Sequence, residues 1–191
     1  MMEITKTEVL KNFKSFTEKI EGNLNIPHKS EIDSGGALKH MTIELEKKID
    51  NITIKINQTF SYLFSEPEKL SVTTGLTIII VKPVKFDFYL HFWHREFFER
   101  IFALNKLNSG NTDFDKNYSA KSNNPILTNT IFQNKNVQDL FLTNKFLVFN
   151  INSDNKGINI ILKNMELKNY NVEEIENLYL ILLKINNMIE A

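Results

Sequence analysis

Cysteine is absent from this 191-residue chain, which excludes disulfides, thiolate nucleophiles, iron–sulfur clusters and cysteine-ligated zinc together. Glycine is scarce: the six present form neither a G-x-x-x-x-G-K-[ST] nor a G-x-G-x-x-G phosphate loop. No serine stands in a G-x-S-x-G elbow, and Ser34 and Ser109, beside glycines, fall in loop-like stretches. Net charge is missing as well, with 23 Lys and Arg against 23 Asp and Glu. Nucleic-acid binders draw much of their affinity from neutralised phosphates and usually carry a basic excess. Arginine, the preferred bidentate partner of phosphate and guanine, occurs only as Arg95 and Arg100. On these counts no nucleic-acid partner is expected. Long apolar runs are lacking too. The most apolar stretch, 76–92, is broken by Lys82, Pro83, Lys85 and Asp87, whereas a membrane span needs about 20 predominantly apolar residues. Residues 1–20 offer no continuous apolar core for a signal peptide. The expectation is a cytoplasmic protein without a membrane span.

What is present suits an ordinary globular core. Hydrophobic residues make up 42% and charged residues 24%. A chain of this size buries roughly 70% of its unfolded surface, so neither disulfide nor metal is needed for stability. A single domain over residues 1–191 is expected.

Periodicity gives the elements. Thr5 and Glu8 have capping-box spacing, and Val9, Phe13, Phe16 and Ile20 fall on one helical stripe that Gly22 stops. Residues 23–37 read as a loop. Met41, Ile43 and Leu45, then Ile52, Ile54 and Ile56, alternate with polar residues across Asp50-Asn51, predicting a hairpin. Residues 70–81, bent at Gly75, and the alternation Phe86, Phe88, Leu90, Phe92 predict a third and fourth strand, completing an antiparallel meander. Residues 93–107 switch towards helix, with Phe97, Phe98, Ile101 and Leu104 on one face. Tyr118 and Ala120 suggest a short strand. Asn124-Pro125 begins a helix, and Asn136 with Asp139 caps another. Residues 146–151 and 157–162 read as two more strands. Asn171 and Glu174 cap a last helix whose Ile175, Leu178, Leu182, Ile185 and Ile189 share an apolar arc widened by Leu180, Ile181 and Leu183. That arc either packs on the sheet and a second helix or forms a homodimer. The fold class is α+β: a largely antiparallel sheet, an N-terminal helix, short inserted helices and a long C-terminal helix packed on the sheet.

The run Ser109-Gly110-Asn111-Thr112-Asp113-Phe114-Asp115, with Tyr118, Ala120, Ser122, Asn123 and Pro125, resembles a segment of uncharacterised bacterial domains found near LemA-type genes. Ile131, Leu140, residues 146–149 and 158–162 continue the likeness over the latter half of the chain, and residues 35–38 extend it forward. The resemblance implies a fold and no activity. Asn123 and Asn124 stand where that pattern has an aspartate.

The densest chemistry lies at 91–100, where His91, His94 and Glu96 suggest metal-assisted or hydrolytic catalysis. The spacing is not H-E-x-x-H, and a metal needs ligands that converge. A strand-to-helix junction with Trp93 over the core is the preferred reading. Asp113 and Asp115 suit acid–base chemistry if they share a face of a strand around Phe114, but capping of local amides is preferred. His28 and His40 are isolated. Phe60, Tyr62 and Phe64 line a cavity or groove for an apolar ligand, or extend a strand into a core rich in the chain's fifteen phenylalanines. The function expected is a non-catalytic binding or interaction module, with no cofactor or metal, that engages a protein or a small apolar ligand. Its surface is expected at Phe60, Tyr62, Phe64, Trp93, His94, Arg95, Phe114 and Asp115.

Overall fold

Thr5 opens helix α1 (Lys6–Ile20) by accepting the Glu8 N–H on its hydroxyl at 3.3 Å. Val9, Phe13, Phe16 and Ile20 all lie on its buried side. The helix ends two residues before Gly22. Glu21 takes the left-handed conformation at φ 52°, its N–H donating to Glu18 O and that of Gly22 to Thr17 O. Gly22 serves a different purpose: a Cβ there would sit 3.1 Å from Leu45 Cδ2 and 3.3 Å from Glu46 O. The chain can therefore run close along the neighbouring strand.

The computed structural model describes residues 4–33, 36–63, 65–83, 87–95, 107–143, 147–154, 157–164 and 172–190. Its sheet is antiparallel throughout. In chain order the strands are β1 (Ile4–Thr5), β2 (Asn23–Asn25), β3 (His28–Asp33), β4 (Gly36–Ile49), β5 (Ile52–Leu63), β6 (Lys69–Val72), β7 (Leu76–Lys82), β8 (Leu90–His94), β9 (Tyr118–Ser122), β10 (Leu147–Asp154) and β11 (Gly157–Asn164). The β4–β5 hairpin closes through Asp50-Asn51 as expected, with Asp50 at φ 51°. β6 and β7 share one edge of β5, separated by a bend at residues 73–75.

Three expectations change here. Residues 23–37, read as a loop, instead supply β2 and β3 and the start of β4, because an edge strand needs backbone pairing more than apolar side chains. The third and fourth strands of the expected meander are not neighbours. The β10–β11 hairpin lies between them, giving the order β5-β7-β11-β10-β8-β9. Residues 90–94 form strand to their end, and residues 96–106 of the expected helix lie outside the described residues.

One face of this sheet is the core. Leu45 faces Ile56, Ile56 faces Ile78, Ile78 faces Leu162, Leu162 faces Phe149 and Phe149 faces Phe92. All six are buried. Helices α2 (Thr112–Asn117), α3 (Pro125–Gln133), α4 (Lys135–Thr143) and α5 (Val172–Glu190) join α1 on this side. Asn124 caps α3 with proline in its first turn, as expected. The start of α4 is held by Asn134 rather than Asn136, since Asn134 Oδ1 accepts the Asn136 N–H. On α5, Ile175, Leu178, Tyr179, Leu182 and Ile185 are buried, and Phe16 meets Tyr179 edge-on at 5.7 Å. The exposed stripe of α5 is Glu173, Asn177, Leu180, Lys184 and Asn187, so its apolar arc is largely consumed within the chain. No described helix is long and apolar enough to cross a membrane.

Sheet side chains tie down three helix ends. Lys47 Nζ donates to Ile20 O at the end of α1, Lys82 Nζ to Asn186 O near the end of α5, and Tyr118 Oη to Phe141 O in the last turn of α4. Such carbonyls lack partners within a helix or carry its negative pole. Tyr118 is 1% exposed, and burial pushes its phenol from 10.0 up to about 12. The neutral phenol is thus the form the fold prefers. Its contribution is complete below pH 10 and is lost as pH rises through 12, a total of about 2–3 kcal/mol. Urea titrations at stepped alkaline pH should show that loss. Tyr118→Phe should be about 1–2 kcal/mol less stable at neutral pH and lose less stability on alkalinisation. Parallel decline of both proteins above pH 10 would refute the assignment.

Candidate functional site

Strand alternation decides the fate of the histidine pair. In β8, Leu90 and Phe92 point into the core, whereas His91 and Trp93 point to the opposite face. His94 follows the core side, where its ring meets Tyr118 edge-on at 5.2 Å. His91 and His94 therefore do not converge on one ion. Glu96 lies outside the described residues, and no group of three metal-ligating side chains occurs among those described.

Most of the expected binding surface is interior. Phe60 and Phe114 are 0% exposed and Tyr62 8%, because their strand or helix positions fall on the core face. Arg95 is 4% exposed and donates from Nε to Ser119 Oγ at 2.7 Å. Phe64 lies outside the described residues. Of the expected surface, Trp93 alone stands half-exposed on the sheet's other face.

Asp113 and Asp115 lie on a helix rather than a strand, because Asn111 starts α2 by accepting the Asp113 and Phe114 N–H groups on Oδ1, each at 3.1 Å. Asp115 accepts the Ser109 N–H at 3.1 and 3.3 Å. Buried Gln138 completes the knot, donating to Ser109 O and Phe132 O and accepting from Asn111 Nδ2. The Asp115 carboxylate holds a turn, as its proximity to glycine and asparagine suggested. Asn111→Ala should reduce stability by about 1–2 kcal/mol in chemical denaturation. A change within error would show that the knot is not coupled to the fold.

The sheet face opposite the core is a different surface. Across it run Lys121, His91, Asn150, Ile161, Ile79, Lys55 and Glu46, each directly opposite the next on adjacent strands. A parallel row holds Val148, Lys163, Thr77 and Asn57. His91 stacks on Trp93 at 4.9 Å with the planes 26° apart, and its Nδ1 donates to Asn150 Oδ1 at 2.5 Å. Tyr89, two positions before His91, is 39% exposed, and Val148 is 37% exposed. Sequence reasoning missed Tyr89, Lys121, Asn150 and Lys163 as companions of Trp93. Their signal was the polar half of each strand's alternation, which reads as plain solvent exposure until the strand order is known.

A depression of about 540 Å³ opens between α4 and α5 over Asn164, lined by Asn136, Asp139, Leu140, Glu174 and Ile181. Glu174 is in the first turn of α5, where the helix dipole favours a carboxylate. No family model matches the chain, and no curated protein or solved structure is found to be similar to it.

Proposed function

We propose that the chain is a non-catalytic binding module whose ligand surface is the sheet face around Trp93. The observation that carries this reading is the ring row Tyr89, His91, Trp93 on a face against which the described helices do not pack. Half-exposed aromatic side chains gain little for an isolated fold, yet they supply much of the energy of recognition sites. Around them, Val148, Ile79 and Ile161 provide apolar contact, and Asn150, Asn152 and Asn159 provide hydrogen bonds. The competing reading, an enzyme built on His91, His94 and Glu96, draws no support from two histidines on opposite faces.

Trp93 is the sole tryptophan, so its emission reports on this face. A fragment screen followed by amide NMR should place ligand-induced shifts on residues 89–93, 148–152 and 159–163. Val148→Glu should weaken that binding by about tenfold and leave the thermal midpoint nearly unchanged. Shifts confined to the α4–α5 depression would overturn the proposal.

A further inference from the structure

Resting on that reading of the sheet face, we propose that its ligand is a single-stranded nucleic acid. The lysines of this face stand close to the rings. From β5 to β9 its described side chains include Lys55, Lys121 and Lys163, and on β4 they include Glu44 and Glu46. Glu46 lies 3.9 Å from Lys55, which leaves Lys121 and Lys163 flanking the ring row from either side. Asp87, exposed two positions before Tyr89, accepts from Ser153 Oγ at 3.4 Å.

The rings form the kind of platform such a ligand requires. His91 and Trp93 stack on each other with centroids 4.9 Å apart and planes 26° apart, and Tyr89, two positions before His91, is 39% exposed. Every base offers a π-face, and a strand of unpaired bases is bound by stacking on such platforms while cations follow its backbone. Asn150 and Asn152 present amides next to the rings, suited to the exposed edges of unpaired bases. A duplex hides its base faces in its own stack, and the described residues of this face include no protruding element to enter a groove. An acidic protein would meet the same lysines without needing the ring row. The proposal departs from the expectation drawn from net charge and scarce arginine, because a stacking site needs few phosphate contacts.

The test uses the whole chain with labelled oligothymidylate and oligouridylate of about a dozen nucleotides, the site size of small stacking platforms. Anisotropy should rise as Trp93 emission is quenched. Log affinity should fall with log salt at a slope of about −1.4, as for two phosphate contacts on a single strand. Lys121→Glu combined with Lys163→Glu should weaken binding at least about tenfold, and His91→Ala at least about fivefold, with unchanged thermal midpoints. The two oligonucleotides separate DNA from RNA as the source. No anisotropy change at about 100 µM protein, the weak end of non-specific binding, would refute the proposal. So would binding without Trp93 quenching, or displacement by duplex equal to that by single strand. Equal competition by polyglutamate would replace nucleic acid with an acidic protein and leave the binding face standing. Failure of oligonucleotides, polyglutamate and fragments alike at this face would sink both readings.

Discussion

Alanine in place of Gly157 is expected to lower the stability of the protein by about 3–5 kcal/mol. Gly157 begins β11 at φ 140°, a conformation that side-chain-bearing residues rarely adopt. A Cβ built there would lie 1.8 Å from Lys82 O, 2.7 Å from Lys82 C and 2.9 Å from Pro83 Cα. All three are backbone atoms, so no rotamer change relieves the overlap. Nor can Lys82 retreat easily: it pairs with Ile158 in the ladder, and its Nζ reaches Asn186 O from a site 2% exposed. Backbone strain and overpacking each cost about 1–3 kcal/mol, and here they add. Gly110 is the control. It too has positive φ, at 79°, but nothing lies within 4 Å of its would-be Cβ, so Gly110→Ala should cost only about 1 kcal/mol. Equal urea midpoints for the two variants would show that the close approach of the chains is not what Gly157 serves.

Phe92→Ala comes next, at about 3–5 kcal/mol. Phe92 is 0% exposed, and its ring lies 4.4 Å from that of Phe132, 4.6 Å from Phe141, 5.0 Å from Tyr118 and 5.8 Å from Phe114. These partners come from α3, α4, β9 and α2, so one ring binds four elements to β8. Aromatic pairs add to the energy of burial, and a cavity of this size among rigid rings collapses poorly. The near-UV circular dichroism of the cluster should fall with stability. Phe92→Leu, which refills much of the volume, should lose less than half as much. If leucine and alanine cost the same, ring contacts rather than volume set the energy. A loss below about 1 kcal/mol for alanine would mean that the cluster does not anchor β8.

The fold class was legible because the strongest signals were local. Period-two alternation over 41–45 and 52–56 and the helical stripe from Val9 to Ile20 each depend on one stretch of chain. Strand order was not, since nothing within 147–164 marks that hairpin as lying between β7 and β8. Polar edge strands were also illegible, because residues such as Asn23 and Asn25 carry no apolar pattern. The same divide governs the site. Trp93 drew attention as a rare residue in a dense run, but its neighbours are set by pairing across 30 to 82 positions of sequence, as with Lys121 at 91 and Ile161 at 79. Phe60 and Tyr62 misled as surface candidates for a related reason: the alternation that identified them as strand residues also aims them inward.

The hairpin between β7 and β8 has a consequence for how the molecule is made. Residues 23–82 can zip into a ladder as soon as they leave the ribosome, and 90–94 can pair with 118–122. The two patches stay unjoined until 147–164 is synthesised, because among the described strands that hairpin bridges them. Pairings so distant in sequence form slowly. Nascent chains halted before residue 147 would leave the β7 rim unpaired, which makes the interval between synthesis of β7 and of this hairpin the one of greatest aggregation risk.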